Sequence, residues 1–171
     1  GSATGDDQVG SDDEDGVSLP STVTPGTSTN ATVVVTNNTT SPGYLNGWVD
    51  FNNNGSFDDE GEQIATDILV PSNTQGLAQN ISLLVPVDAI PGDRGARFRL
   101  TETPGFGPEG EGTVGEVEDY LFNVGCLPFS VGPASLPNPV AGTTYSQVVS
   151  ANGIHGPYEF SVSSGALPAG L

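Results

Sequence analysis

Lysine and methionine are absent from this 171-residue chain, which has one tryptophan, one histidine and one cysteine. Its three basic residues, all arginine, face 21 acidic ones, for a formal net charge of -18. A chain so negative repels phosphate backbones, which excludes nucleic acid as a partner and disfavours anionic lipid surfaces. Without lysine, a Lys–Asn isopeptide crosslink is impossible. Cys126 has no second cysteine here to pair with, so it is a buried thiol or reaches a partner beyond the chain. No apolar run approaches the ~20 residues of a membrane helix, so direct membrane insertion is not expected. With one histidine, His155 in a Gly/Asn-rich loop, neither a Ser-His-Asp nor a Cys-His constellation assembles, and the chain reads as a non-enzyme. Acids this plentiful make paired carboxylates uninformative about glycosidase chemistry.

What is present is β-sheet punctuation. The 24 glycines and 14 prolines separate short apolar runs, a texture of many strands joined by turns. Thr29 to Val35 is β-branched. Leu45, Gly47, Val49 and Phe51 alternate with Asn46, Trp48 and Asp50, the period of two that marks a strand. Further strands are expected at 64–70, 81–87 (ended by Pro86), 96–101 and 117–124. In the fifth of these six, Phe98 and Leu100 lie opposite Arg97 and Arg99, whose expected partners are strand carboxylates. No segment has a helical period. These elements predict an all-β, immunoglobulin-like β-sandwich over residues 17–125. Residues 1–16 read as an acidic lead-in, and Pro-rich residues 126–171 as a second, partial β domain.

The charge itself suggests two readings: the solvated surface of a salt-adapted protein, or carboxylates that await a divalent cation. A local pattern bears on the choice. In Asp50-Phe51-Asn52-Asn53-Asn54-Gly55-Ser56-Phe57-Asp58, oxygen side chains alternate and a glycine stands where the chain must turn sharply. An EF-hand loop wraps Ca2+ with this spacing. Asp50, Asn52 and Asn54 would offer side-chain oxygens, Ser56 its carbonyl, and Asp58 a direct or water-mediated contact. The twelfth position, where a bidentate acid is expected, is Gly61. Glu62 follows it, so the loop is one residue longer or is closed by another segment. Strands flank it, not helices. Magnesium prefers a tight octahedron and retains its waters, and zinc lacks nitrogen and sulfur ligands here. Two other acidic groups, Asp12, Asp13, Glu14 and Asp15, and Glu116, Glu118 and Asp119, read equally as metal contacts or as solvated segments.

The string GEVEDY at 115–120 resembles the signature of the GEVED domain family of bacterial secreted and surface proteins. GSDDEDGV (10–17), GWVDFNNNGSFDDEGEQIA (47–65) and PGDRGARFRLTE (91–102) extend the resemblance to roughly residues 5–125. It implies a β-sandwich with acidic, calcium-binding loops inside a long multidomain protein. It also raises Asp12 to Asp15 and Glu116 to Asp119 to functional carboxylates, and places Glu62 within the family pattern. The tail from Ser135 resembles the opening of immunoglobulin-like repeats of bacterial surface proteins, so a truncated repeat is expected there.

The expected function is therefore a Ca2+-binding structural or adhesive module, extracellular or at the cell surface. Its expected partners are neighbouring domains of the same polypeptide and a cell-surface glycan or protein. The alternative is a carbohydrate- or protein-binding accessory module of a secreted hydrolase, with Trp48, Tyr44 and Tyr120 as its platform, although these three read first as core or cross-strand packing residues.

Overall fold

The computed structural model describes residues 16–110, 115–153 and 157–165, with backbone alone at 115 and 116. The chain divides into two compact units, 1–126 and 127–171. The first contains eight strands: β1 (Val17–Ser18), β2 (Thr22–Val23), β3 (Ser28–Asn37), β4 (Gly43–Val49), β5 (Gln63–Val70), β6 (Thr74–Leu84), β7 (Gly92–Thr101) and β8 (Gly115–Val124). They form a three-stranded sheet, β1-β3-β6, and a five-stranded sheet, β2-β8-β7-β4-β5. All pairings are antiparallel except β2 with β8. There is no α-helix among the described residues.

Period-two patterning assembles the core. On β3, Ala31, Val33 and Val35 are buried while Val34 is exposed, and on β6 Ile81 and Leu83 lie beneath exposed Ser82 and Leu84. The five-stranded sheet contributes Leu45 and Val49 from β4, Ala96 and Phe98 from β7, and Phe122 and Val124 from β8. Side chains of both sheets thus join in one cluster, at roughly 25 cal/mol per Å² of apolar surface removed from water. Phe51, just past β4, packs edge-on against Phe122, ring centroids 6.4 Å apart. This contact pins the start of the following loop to the core.

The observed strands depart from the sequence expectation at their polar ends. Strand β6 starts at Thr74, not near Ile81, and stops before Val85-Pro86. Residues 74–80 have almost no apolar alternation because β6 pairs only with β3 and its outer side chains meet solvent. Strand β7 starts at Gly92, where backbone pairing with β8 rather than apolar periodicity sustains it.

The second unit holds β9 (Ser130–Gly132) and β10 (Ser150–Asn152), an antiparallel pair, and a Phe129–Tyr158 ring contact at 5.8 Å. None of its described residues is buried. Cys126, at the end of the first unit, is exposed rather than a buried thiol.

Gly47 shows how closely β4 and β7 fit. A Cβ there would stand 2.8 Å from Phe98 Cδ1 and Cε1 and 3.4 Å from the Ala65 Cβ. Because Phe98 is 3% exposed, the ring has nowhere to retreat. Gly47→Ala should cost about 1–3 kcal/mol of overpacking and lower the melting temperature by roughly 5–15 °C. An unchanged calorimetric midpoint would show that the sheet yields at this point.

Candidate metal centre

The connection from β4 to β5, residues 50–62, is closed at its base and organised within. The Val49 N–H donates to the Glu62 carbonyl at 2.9 Å, and the Asp50 N–H to the Gly95 carbonyl of β7 at 3.0 Å. Asp50, 8% exposed, accepts the Asn54 N–H at 3.1 Å on one carboxylate oxygen and the Gly55 N–H at 2.9 Å on the other. The pattern steps along the loop: Asn52 Oδ1 accepts the Asn54 N–H, Asn54 Oδ1 the Ser56 N–H, and Ser56 Oγ the Asp58 N–H. Gly55 takes φ +81°, the left-handed turn that the sequence pattern assigns to it. Local side-chain-to-backbone bonding of this kind is why Asp, Asn and Ser recur in the loop.

Glu62 is the unusual member. It is 2% exposed, one oxygen is 3.5 Å from the Asn52 N–H, and the other has no hydrogen-bond partner. Burial raises its pKa above the usual carboxylate range, and nearby Asp50 and Asp59 add to the rise, while backbone bonds at Asn52 and Asp59 act against it. Asp59 shifts the other way: the Asn52 and Asn54 amides donate to its Oδ2 at 3.0 and 2.7 Å and hold its carboxyl low. An orphaned, buried carboxylate oxygen costs free energy and is what a hard cation would relieve. The donor set fits such an ion. Amide and carboxylate oxygens already bonded to N–H groups keep further lone pairs. Among the described residues no three Asp, Glu, His or Cys groups gather into a metal cluster, so a cation here would need the Asn and Ser oxygens as well.

Asp50, Asn52, Asn54, Ser56, Asp58 and Glu62 thus belong to one closed loop. The remaining candidates lie elsewhere. Asp12, Asp13, Glu14 and Asp15 are outside the described residues. Glu116 is placed by its backbone, opposite Leu100. Glu118 lies opposite core-facing Phe98, and the Tyr120 hydroxyl donates to it. Asp119 falls on the other face of β8, where both its oxygens accept from Arg97 at 2.7 Å. The alternation of a strand therefore parts the acids of the signature.

The arginines correct a second expectation, since among the described residues only Arg97 finds a carboxylate. Arg99, 3% exposed, donates to the carbonyls of Gly107, Glu109 and Gly110 at 2.7–2.9 Å. Burial and its neighbour Arg97 lower its pKa. Arg94 donates to the carbonyls of Ile90 and Pro91. The composition hides this, because a carbonyl-lined arginine site has no side-chain signature. Sequence reading also missed Asp67, which takes φ +46° inside β5, binds Asn46 and accepts the Gly105 N–H. This latch fastens the loop after β7 to the sheet. Of the aromatic residues, Tyr120 packs inside against Phe98, whereas Trp48, 2% exposed, lies on the outer face beside Asn46.

These features define an all-β, two-sheet domain with an acidic inter-strand loop. Residues 44–123, from β4 through β8, match the family model of the GEVED domain, and the chain carries a GEVED domain over that span. GEVED domains are found in bacterial secreted or surface proteins. The match is shorter than the expected 5–125 and does not reach the tail, where no comparison supports an immunoglobulin-like repeat. Proteins of curated function yield no match. No helix among the described residues is long and apolar enough to cross a membrane.

Glu62 makes a signed pH prediction for metal-free protein. Its folded pKa is raised above the ordinary 4.5, so its contribution is fully present below that value and lost as pH rises through the folded one. Glu62→Gln should remove this part of the pH dependence and raise the metal-free melting temperature near pH 7 by roughly 5 °C. Parallel melting curves for both proteins between pH 4 and 7 would contradict the assignment.

Proposed function

We propose that this GEVED domain is a calcium-stabilised structural or adhesive module of a large bacterial extracellular or cell-surface protein, without catalytic activity. The observation that carries the reading is the unpartnered, buried Glu62 oxygen beside a loop of organised oxygen donors. In this reading Asp50, Asn52, Asn54 and Ser56 wrap the ion, Asp58 contributes directly or through water, and Glu62 closes the shell. Asp119 serves as the partner of Arg97. The two sheets around one core support an immunoglobulin-like sandwich as the frame.

The electrostatic argument is independent of the loop. With a formal charge of -18 the folded state repels itself, and a divalent ion at a buried carboxylate relieves both local desolvation and the wider field. Extracellular calcium modules bind with Kd of about 10⁻⁴–10⁻³ M. At 10 mM Ca2+ the folded state should therefore gain about 1.4–2.7 kcal/mol, or roughly 5–20 °C in melting temperature, reversed by chelator. Glu62→Gln should lose most of that gain while Mg2+ gives little of it. A midpoint indifferent to Ca2+ and chelator would sink the proposal.

A further inference from the structure

We propose that the free edge of strand β6 pairs with the same strand of a second copy of this chain, joining two three-stranded sheets into one. Of the four edges of the first unit's two sheets, three are closed to such pairing. Strands β1 and β2 have two residues each, and β5 carries Asp67 at φ +46° beside a register shift against β4. Strand β6 has none of these defences. Its register with β3 is unbroken from Leu84, opposite Ser28, to Leu77, opposite Val35, and this stretch holds no proline and no charged residue.

The main chain shows which groups that edge offers. The Val85 N–H donates to the Thr27 carbonyl and the Val85 carbonyl accepts the Gly26 N–H, each at 3.0 Å. Main-chain direction alternates along an antiparallel strand, so Ala78, Asn80, Ser82 and Leu84 aim their N–H and C=O groups away from β3. Their side chains are exposed as well. Charge selects the occupant. A chain of charge -18 draws basic partners, yet β1, β3 and β6 hold none of its acids, and no charged residue occurs from 16 to 49 or from 68 to 87. A basic segment finds its complement elsewhere on this surface. A second copy is repelled by the rest of the surface and meets no like charge along this edge. The strand also matches itself under a two-fold axis. With the axis at Ile81, Ala78 meets Leu84 of the second copy and Asn80 meets Ser82, so every member of the outward row finds another. Both β6 edges are then used, and the assembly closes as a dimer.

A junction of two strands lies at the small end of interface sizes, so the full chain should dimerise with a Kd of about 1–100 µM. Sedimentation velocity across and above that range tests it, with chelator and reductant present so that neither the metal loop nor Cys126 contributes. Salt gives the signature. Dimerisation should tighten at least tenfold between about 20 and 500 mM NaCl as the repulsion between copies is screened, whereas attraction to a basic partner would weaken. Amide exchange at residues 78–84, and not in β5, should slow as protein concentration rises. Ser82→Pro removes an outward N–H without breaking a bond to β3, and Ser82→Glu sets two acids diagonally across the axis. Each should weaken dimerisation at least tenfold while the melting temperature stays within a few degrees. Leu121→Glu, at an exposed position on the outer face of the other sheet, should leave it unchanged. A monomer at every concentration and salt, growth beyond a dimer, a dimer that survives both Ser82 variants, or one lost in Leu121→Glu would overturn the proposal.

Discussion

All three basic residues of the chain lie on one strand, β7, and the hydrogen bonds they make hold the loops around the candidate site. Arg94 ties down the approach to the strand at Ile90 and Pro91. Arg97 joins β8 through Asp119, reaches the Pro108 carbonyl and sits over Phe57. Arg99 gathers the carbonyls of 107–110 and sits over Phe106. Buried guanidinium groups are costly unless their donors are met, and carbonyl oxygens meet both terminal nitrogens of Arg99, whose Nε has no partner among the described residues, without adding charge to a crowded acidic surface. With 21 acids against three arginines, two of which bind carbonyls, most carboxylates have no internal counter-charge. Arg97 and Asp119 form the one ion pair among the described residues. This distribution gives Glu62 its character: it is buried near Asp50 and Asp59, with no arginine assigned to it.

The sequence made some of this legible and hid the rest for identifiable reasons. Strict alternation revealed β4 and the core side of β7, since Leu45, Val49, Phe98 and Leu100 recur at period two. The oxygen spacing from Asp50 to Asp58 revealed a loop that turns at Gly55. Burial of Glu62 was not legible, because an acid next to other acids in sequence looks solvated. Its burial follows from the hydrogen bond between Val49 and the Glu62 carbonyl, a contact across the loop. The same limit applies to Asp67 and Asn46, polar residues that reach one another across a bulge between β4 and β5. The acids at 116, 118 and 119 looked like one cluster in one dimension, and the pleat of β8 separates Asp119 from Glu118.

Strand pairing also relates the loop to the sheet face. Trp48 and Asn46 lie opposite Arg97 and Arg99 on β7, the two arginines that sit over Phe57 and Phe106. Substitution of either arginine would remove a charge and also release a loop. Arg97 and Arg99 are therefore packing residues as much as electrostatic ones.

A cation at the loop would act on a segment that the fold already holds at both ends and in the middle. Asp50 and Glu62 anchor the ends, and Arg97 sits 5.2 Å from the Phe57 ring centre in between. Much of the loop's order therefore exists before an ion arrives, and the ordering cost left for the ion to meet is small. The fold rather than the ion is the chief organiser of the loop.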